Sequence, residues 1–419
     1  MQRIDLKYGR KSISFDYDSS RFELLDASRD GAGLSDAEIG ARLDEPIGSG
    51  TIEEIVGAGE TVLIIVPDAT REVGCGQVIN LLVRRLIANG TNAFDIRVIF
   101  ATGIHRKVTD SEKAAIVTPF IAQRIKMLDH DPRDLMQIVR LGETSGGIPI
   151  ELNRVLVEHD HVIIIGGVSF HYFAGFTGGR KSICPGLASS RTISGTHKLA
   201  FDCDKLARRD GVGTGLLDGN AVHEAFIEAA GRIAPSFAIT AAVNDVGDIT
   251  DLHCGDWKES HRAACDVFMA NNSVTVQERR DLVIISCGGY PHDINLIQAH
   301  KALDAASYAC NEGGTIILVA ECSEGLGRAD LMDWFSAGDS RTLAAKLCGK
   351  YQVNGQTAWS LLKKTERFDI GIVSDLPAET VSQMGLTTYP TIDEAMKKAA
   401  PFKSGFIIPT GAKCLIRTV

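Results

Sequence analysis

The chain lacks the patterns that identify membrane-spanning and nucleic-acid-binding proteins. No apolar stretch among its 419 residues approaches the roughly 20 that a helix needs to span a bilayer. The N-terminal MQRIDLK lacks the apolar centre of a signal peptide. No long run of Lys and Arg offsets the formal net charge of -9, which disfavours nucleic acid as the main partner. We therefore expect a cytoplasmic protein without membrane contact that acts on a small molecule.

Paired cysteine motifs are also missing. The ten cysteines are scattered and none forms a Cys-x-x-Cys pair, so neither a zinc site nor a disulfide framework is indicated. We expect these thiols to be reduced and mostly buried. The chain also contains no internal repeat and no low-complexity tract.

What does recur is a series of short apolar runs separated by stretches with helical spacing. Runs that are apolar throughout and alternate with helices, such as residues 75–89 and 301–311, are typical of parallel sheets covered on both faces. The predicted strands are residues 61–66, 96–100, 162–165, 282–286, 315–319, 369–373 and 406–408. The sequence therefore predicts an α/β fold with mostly parallel sheets.

A polar segment over residues 271–280 is the expected boundary between two domains, because it ends in Glu-Arg-Arg just before a predicted strand. We predict an N-terminal α/β domain over residues 1–275 and a C-terminal one over residues 276–404. The segment of residues 405–419 is expected to pack back on the first domain. Ligands commonly bind between domains, so an interdomain active-site cleft is the expected location of the site.

The most informative segment runs from His171 to Gly186, with a second histidine at position 197. It follows a predicted buried strand, and open α/β sheets bind ligands at such strand ends. Lys181, close to two glycines, suits either a phosphate contact or an amine attached to a cofactor. His171 and His197 suit either acid–base catalysis or metal binding. The residues alone leave these choices open.

The same segment does not match a nucleotide-triphosphate loop. Gly175 and Lys181-Ser182 fit the pattern G-x-x-x-x-G-K-[ST], but Arg180 stands where the second glycine must be. A side chain there would obstruct a loop whose backbone wraps the phosphates. Triphosphatase activity is therefore disfavoured.

Two other turns follow predicted strands in the first half. Asp68-Ala-Thr-Arg71 offers an arginine for an anionic ligand, although Asp68 is equally consistent with a helix cap. His105 follows residues 96–100, where an imidazole is well placed for proton transfer, and a purely structural histidine is the alternative.

A fourth segment lies in the second half. If the chain is helical there, Gln298 and Lys301 share one face. An amide donor and a cation together suit a carboxylate, which accepts several hydrogen bonds. The alternative is an ordinary solvated helix face.

Taken together, these segments resemble the nickel-dependent lactate racemase family. The likeness covers most of the chain, and its matching pieces are Asp68-Ala-Thr-Arg71, Thr102-Gly-Ile-His105-Arg106, the segment from His171 to Gly186, His197, and the segment from Pro291 to Lys301. The resemblance implies an isomerase, a racemase or epimerase that inverts C2 of lactate or a related 2-hydroxy acid by hydride transfer through a 2-keto acid.

The resemblance also implies a cofactor. In that family a nickel-pincer nucleotide is joined to the protein through a lysine, and Lys181 is the matching residue. His197 matches the histidine that completes the nickel coordination, and imidazole suits Ni(II). Thr70, Gly178 and Gly179 are expected as further cofactor contacts. Enzymes of cofactor biosynthesis are implied as partners.

The remaining matches concern the substrate. His105 and His171 match the acid–base histidines of the family. Arg71, Gln298 and Lys301 match positions that bind or orient the substrate carboxylate, and Asp68 matches an acidic residue beside them.

Two other interpretations stay open. Lys181 could bind a nucleotide phosphate noncovalently in an enzyme of another class, or the chain could be a noncatalytic carboxylate-binding protein. The sequence also departs from the family at three positions: Glu72 and Lys107 stand where proline is common, and His292 where an apolar residue is more usual. It therefore does not select one 2-hydroxy acid.

Overall fold

The elements described here come from a computed structural model that covers residues 1–27, 31–71, 73–399 and 401–418. The strands in chain order are β1 (Gln2–Tyr8), β2 (Lys11–Tyr17), β3 (Phe22–Leu24), β4 (Val62–Pro67), β5 (Ile96–Ala101), β6 (Lys126–Leu128), β7 (Ile138–Glu143), β8 (Pro149–Asn153), β9 (His161–Gly167), β10 (Phe170–His171), β11 (Gly175–Phe176), β12 (Phe201–Asp202), β13 (Ala207–Arg208), β14 (Phe237–Val243), β15 (Ile249–Gly255), β16 (Ser273–Val276), β17 (Arg280–Ser286), β18 (Cys310–Val319), β19 (Asp369–Val373), β20 (Thr387–Tyr389), β21 (Gly405–Ile408) and β22 (Leu415–Thr418).

The α-helices alternate with these strands over much of the chain. In order they are α1 (Asp36–Asp44), α2 (Ile52–Ile55), α3 (Cys75–Ala88), α4 (Asp110–Val117), α5 (Pro119–Arg124), α6 (Ser190–Lys198), α7 (Ala221–Gly231), α8 (Glu259–Asn272), α9 (Leu296–Ala299), α10 (Ala302–Ala309), α11 (Ser340–Gly349), α12 (Val353–Thr365), α13 (Ala378–Gln383) and α14 (Ile392–Ala399). Short 3₁₀ turns occupy Ala93–Asp95, Arg154–Val157, Gly179–Ser182, Ala329–Ala337 and Gly411–Lys413.

The chain divides into two compact units. The N-terminal unit comprises Arg29–Ala200 and Asp210–Phe268, and the C-terminal unit comprises Met1–Ser28, Phe201–Arg209 and Met269–Val419. All seven predicted strands are present, and the expected α/β class with mostly parallel sheets is confirmed.

The N-terminal unit contains a six-stranded sheet in the order β15-β14-β9-β4-β5-β6. Its strands are parallel except for the antiparallel pair β14–β15. Strand β4 is buried along its whole length, as its unbroken apolar run requires when both faces of a parallel sheet are covered. Helix α3 covers one face with an apolar stripe at helical spacing, which includes Val78, Ile79, Leu82, Val83 and Leu86.

The C-terminal unit contains a second six-stranded sheet, in the order β20-β19-β18-β17-β21-β3. Every strand pair in it is parallel. Its core includes the central apolar residues of β17, β18 and β19 together with buried residues of α10, α11 and α12.

The division differs from the expected domain boundaries in three places. Strand β3 pairs with β21, which places Phe22–Leu24 in the C-terminal sheet, and the β1–β2 hairpin belongs to the same unit. The segment of residues 405–418 also belongs to this unit, because β21 pairs with β17 and β22 pairs with β16. The stretch Phe201–Arg209 joins the same unit. Backbone hydrogen bonding between strands distant in sequence sets the first two of these boundaries, and packing of Phe201 in the C-terminal core accompanies the third, whereas the expectation used sequence continuity.

The expectation that all cysteines are reduced is wrong for one pair. Cys203 and Cys348 form a disulfide within the C-terminal unit, although they are 145 residues apart in sequence. The other eight cysteines are free thiols and buried, as expected. In the part of the chain that the structure describes, no helix is long and apolar enough to cross a membrane.

Candidate active site

Parallel pairing brings the ends of three strands to one edge of the N-terminal sheet. Pro67 at the end of β4 lies opposite Ala101 at the end of β5, and Ile65 lies opposite Ile164 of β9. The turns that carry Asp68, His105 and His171 therefore leave the carboxyl edge of the sheet, as the sequence predicted.

Asp68 and His105 form a close pair at this edge. The Nδ1 atom of His105 lies 2.6 Å from Oδ2 of Asp68. Only 5% of the Asp68 side chain is exposed, against 35% for His105, so the carboxylate is covered while the imidazole remains accessible. A hydrogen bond from Nδ1 to a carboxylate leaves the lone pair of a neutral ring on Nε2. His105 is therefore arranged to accept a proton at Nε2.

The surroundings of Asp68 keep its carboxyl group ionised. Burial alone would raise its pKa, but the charge and hydrogen bond of His105, with the charge of Arg71, outweigh burial and lower the pKa from 3.8 to about 2. Thr70 contributes two further hydrogen bonds to Oδ1, from its backbone N at 3.0 Å and its hydroxyl at 2.6 Å. Asp68 is thus an anion that fixes His105 and also shapes its own turn.

The turn that carries His105 is hydrogen-bonded to the segment that carries Lys181. Gly103 adopts a positive φ of 54° and its backbone N donates to the carbonyl of Gly186 at 2.8 Å. Gly186 in turn donates to the carbonyl of Lys181 at 3.0 Å. These backbone bonds connect the two candidate segments.

His171 lies in the short strand β10, which pairs with β11 across a tight turn. Its side chain is buried, and Nδ1 accepts from the backbone N of Ala174 at 3.3 Å and of Phe173 at 3.5 Å. Both contacts favour an unprotonated Nδ1, which places the proton of a neutral ring on Nε2. The two candidate acid–base histidines therefore differ: His105 offers a lone pair at Nε2 and His171 offers an N–H.

Lys181 and His197 meet against the same two aromatic rings. The Nζ atom of Lys181 lies 5.7 Å from the ring centroids of both Phe173 and Phe226. The His197 ring lies 5.1 Å from that of Phe173 and 5.6 Å from that of Phe226. The predicted cofactor lysine and the predicted metal ligand are thus brought together.

His197 is a neutral imidazole with an unused nitrogen. It occupies the last turn of α6, where it is buried, and its Nδ1 has no hydrogen-bond partner among the described residues. Burial, followed by the charges of Lys181 and His105, lowers its pKa from 6.5 to about 3. A metal binds the neutral form of imidazole, so no proton has to leave His197 near neutral pH.

The structure explains the glycines before Lys181 by packing within the protein. Gly178 and Gly179 have positive φ angles of 76° and 50°. A Cβ on Gly179 would come within 2.6 Å of the His261 ring, and one on Gly178 within 2.9 Å of the carbonyl oxygen of Gly167. Close approach of the backbone to a ligand is therefore not needed to account for them, and their contact with a cofactor stays a prediction.

Gln298 and Lys301 lie together in the C-terminal unit. Gln298 belongs to α9, and its Oε1 accepts from the Nζ atom of Lys301 at 2.5 Å. The Asn295 side chain caps this helix by accepting from the backbone N of Gln298 at 3.1 Å. Helix α9 ends at Ala299, so Lys301 lies beyond it, at the N-cap of α10, and what the structure shows is the contact between the two side chains.

Of the three departures from the family pattern, Lys107 is exposed and His292 is partly buried. Glu72 lies outside the described residues.

The sequence did not reveal Phe226, because α7 lies far from the His171–Gly186 segment in the chain and nothing in the sequence of α7 marks it. In the sequence, Arg180 was considered only as an obstacle to phosphate binding, although its position next to Lys181 indicated a part in shaping this segment.

Most of the chain matches known protein domains and full-length relatives. Residues 8–208 match the lactate racemase N-terminal domain and residues 275–412 the lactate racemase C-terminal domain. The lactate racemase of Lactiplantibacillus plantarum is 32% identical over 411 residues, which cover 95% of each chain. The lactate racemase of Thermoanaerobacterium thermosaccharolyticum is 28% identical over 431 residues and the full length of both chains.

Solved structures agree with this match. The lactate racemase apoprotein from Thermoanaerobacterium thermosaccharolyticum superimposes with a TM-score of 0.90 at 27% identity, covering 99% of this chain and 100% of the other. A Thermotoga maritima protein, at 18% identity and a TM-score of 0.71 over 94% of this chain and 100% of its own, shares the fold.

The structural match shows the α/β fold, and the full-length relatives support an enzyme of the racemase class that acts on a small molecule. The chain belongs to the lactate racemase family.

The neutral state of His197 can be measured. Because its pKa in the folded chain is about 3, the ring nitrogens should not titrate between pH of about 8 and 5 in ¹⁵N NMR spectra of histidine-labelled protein. The associated stabilisation is complete above the ordinary pKa of 6.5 and is lost as the pH falls towards 3. A His197→Gln variant assigns the signals, and titration near pH 6.5 would contradict the prediction.

Proposed function

We propose that this chain interconverts the stereoisomers at C2 of a 2-hydroxy carboxylic acid, lactate or a related acid. We further propose that it uses a nickel-pincer nucleotide attached through Lys181. The observation that carries the proposal is full-length similarity to two lactate racemases. The arrangement of His105, His171, Lys181 and His197 supports it.

The residues around Lys181 fit such a cofactor. Among the described residues, no group of three or more His, Cys, Asp and Glu could hold a metal ion. His197 nevertheless offers a buried, neutral imidazole with an unpaired Nδ1, next to the aromatic rings that Lys181 contacts. A single protein ligand suits nickel whose other donors belong to an organic group. When bound, that group supplies a hydride acceptor for the substrate.

The substrate explains why a proton acceptor and a hydride acceptor are both needed. A 2-hydroxy carboxylate holds its α-hydrogen too tightly for an ordinary side-chain base, because the carbanion would form beside an existing negative charge. Removal as hydride avoids this species if a base takes the hydroxyl proton at the same time. The Nε2 atom of His105 suits this task, since Asp68 fixes its Nδ1–H and stabilises the imidazolium that forms.

His171 completes the proposed acid–base pair. Its Nε2–H suits a hydrogen bond to the oxygen of the planar 2-keto acid. Because a neutral imidazole with an unprotonated Nδ1 would become an imidazolate if it gave up this proton, the imidazolium of His105 returns the hydroxyl proton when C2 is reduced on the opposite face. Two histidines rather than one serve the reaction because the oxygen is approached from two sides.

Cationic side chains would hold the carboxylate. Arg71 follows Asp68 in the same turn, and its guanidinium can bind a carboxylate with two parallel hydrogen bonds. Burial lowers the pKa of Arg71 from its ordinary value, and the charge of Asp68 opposes this. We propose the same task for Gln298 and Lys301, whose side chains already contact each other.

Two observations weigh against the other interpretations. The glycines before Lys181 pack against His261 and Gly167, so they form no open backbone cradle for a phosphate. The Asp68–His105 pair is also unnecessary for a protein that only binds a carboxylate, since buried Asp68 adds negative charge there.

The covalent mass on Lys181 is the test that separates these functions. Protein made in cells that synthesise the cofactor should carry an adduct on the Lys181 peptide and about one nickel per chain, and it should racemise lactate or a related 2-hydroxy acid. A Lys181→Arg variant made in the same cells is the matched control. An unmodified Lys181 without nickel, where a known lactate racemase is loaded in parallel, would reject the proposal.

Replacement of either acid–base histidine should stop racemisation without loss of the adduct. We expect His105→Asn and His171→Asn each to lower kcat by about 10²-fold or more, since the first removes the proton acceptor and the second removes the imidazole N–H that faces the reacting oxygen. Adduct mass and nickel content, measured on the same samples, should match those of the unmodified sequence. Full activity in either variant would remove that histidine from the mechanism.

Asp68 should contribute through its charge. An Asp68→Asn variant keeps the shape of the turn but loses the anion that fixes His105, so kcat should fall by about 10²- to 10⁴-fold. Asp134→Asn is a matched control, because Asp134 also accepts from a backbone N two residues later, that of Met136 at 2.9 Å. Equal effects of the two substitutions would show that only turn geometry matters.

A further inference from the structure

Arg180 is a fully buried cation for which the described chain provides no carboxylate. Its relative exposure is 0%, and burial lowers its pKa from 12.5 to about 10. The titratable groups that face it from α7 and α8 carry no charge that could compensate it. Burial and the charge of Arg180 lower the pKa of His223 and of His261 to about 3, so both rings are neutral. Burial raises the pKa of Cys265 to about 12, so its thiol is neutral too. Burying an unpaired guanidinium is costly, so its contacts require an explanation.

Those contacts are with one turn. The Nη2 atom donates to the carbonyl of Ala174 at 2.7 Å, and Nη1 donates to the carbonyls of Gly178 at 3.3 Å and Thr177 at 3.4 Å. All three carbonyls lie between His171 and Lys181. Arg180 therefore holds the turn that joins the proposed acid–base histidine to the proposed cofactor lysine.

The opposite side of the turn contacts His171. The backbone N of Ala174, whose carbonyl accepts from Arg180, donates to Nδ1 of His171 at 3.3 Å. The N of Phe173 contributes a second, longer contact of 3.5 Å. Displacement of Ala174 would remove the donors that keep Nδ1 unprotonated.

His261, on α8, also contacts Arg180. The Nη1 atom of Arg180 lies 3.1 Å from Nε2 of His261, and that nitrogen lies 2.8 Å from the carbonyl of Thr177. The ring of His261 occupies the space beside Gly179. The guanidinium is thus confined in one orientation.

We infer that Arg180 is a positioning residue, which acts through the Ala174 turn to hold His171 with its proton on Nε2. The reasoning about the tautomer rests on the contacts alone, and its consequence for racemisation rests on the proposed function. Arg180 itself touches neither substrate nor cofactor in this role.

The tautomer is read directly from ¹⁵N NMR spectra of histidine-labelled protein without cofactor, with His171→Asn to assign the signals. In the unmodified chain, His171 should show a protonated Nε2 and an unprotonated Nδ1. In Arg180→Met its signals should shift to a mixture of tautomers, and kcat of the loaded variant should fall about tenfold or more with KM changed less than about twofold. Arg262→Met is the control, because this half-exposed arginine lies on α8 one residue after His261 and pairs with Asp218 instead.

Each outcome decides the inference. A folded Arg180→Met chain with the original His171 spectrum would overturn it, whatever the activity. If Arg180→Met does not fold, Arg180→Lys is measured instead, because lysine keeps the charge but cannot donate from two nitrogens as the guanidinium does. A mixture of His171 tautomers in this variant supports the inference, and an unchanged His171 spectrum overturns it. Failure of the unmodified, loaded chain to racemise any 2-hydroxy acid would reject the proposed function but leave the NMR result to judge Arg180.

Discussion

Parallel hydrogen bonding of β4 with β5 and β9 is the constraint on which the site depends. It brings the ends of the three strands to one edge, and the turns that carry Asp68, His105 and His171 leave the sheet there. Asp68 reaches His105 across neighbouring strand ends, although 37 residues separate them in sequence. The backbone bonds through Gly103 and Gly186 extend the same arrangement to Lys181.

Burial and neighbouring charges together determine which of these groups are charged. Asp68 stays anionic because His105 and Arg71 compensate it, whereas His197 stays neutral because burial and neighbouring cations disfavour its protonation. Arg180, a buried cation, donates to a set of backbone carbonyls. The proposed base, the proposed metal ligand and the turn held by Arg180 thus differ in charge because their local solvation and contacts differ.

The sequence predicted the strands well because parallel strands covered on both faces are unbroken apolar runs, and the turns that follow them carried the polar groups. It did not predict that residues 1–28 and 201–209 join the C-terminal unit, because β3 and β21 are paired by backbone bonds that side chains do not specify. The Cys203–Cys348 disulfide and the placement of Phe226 beside Lys181 depend on contacts between residues far apart in the chain. No local pattern marks such contacts.

Retention of the α-hydrogen is the most direct test of the account. Loaded protein would be given 2-hydroxy acid that carries deuterium at C2, in ordinary water, and the deuterium content of both stereoisomers would be followed by mass spectrometry as racemisation proceeds. The account predicts that deuterium stays at C2 in both, because the hydrogen leaves and returns as hydride while His105 and His171 handle only the hydroxyl proton. Loss of deuterium to solvent at the rate of racemisation would show that a side-chain base removes the α-hydrogen as a proton, and would contradict it.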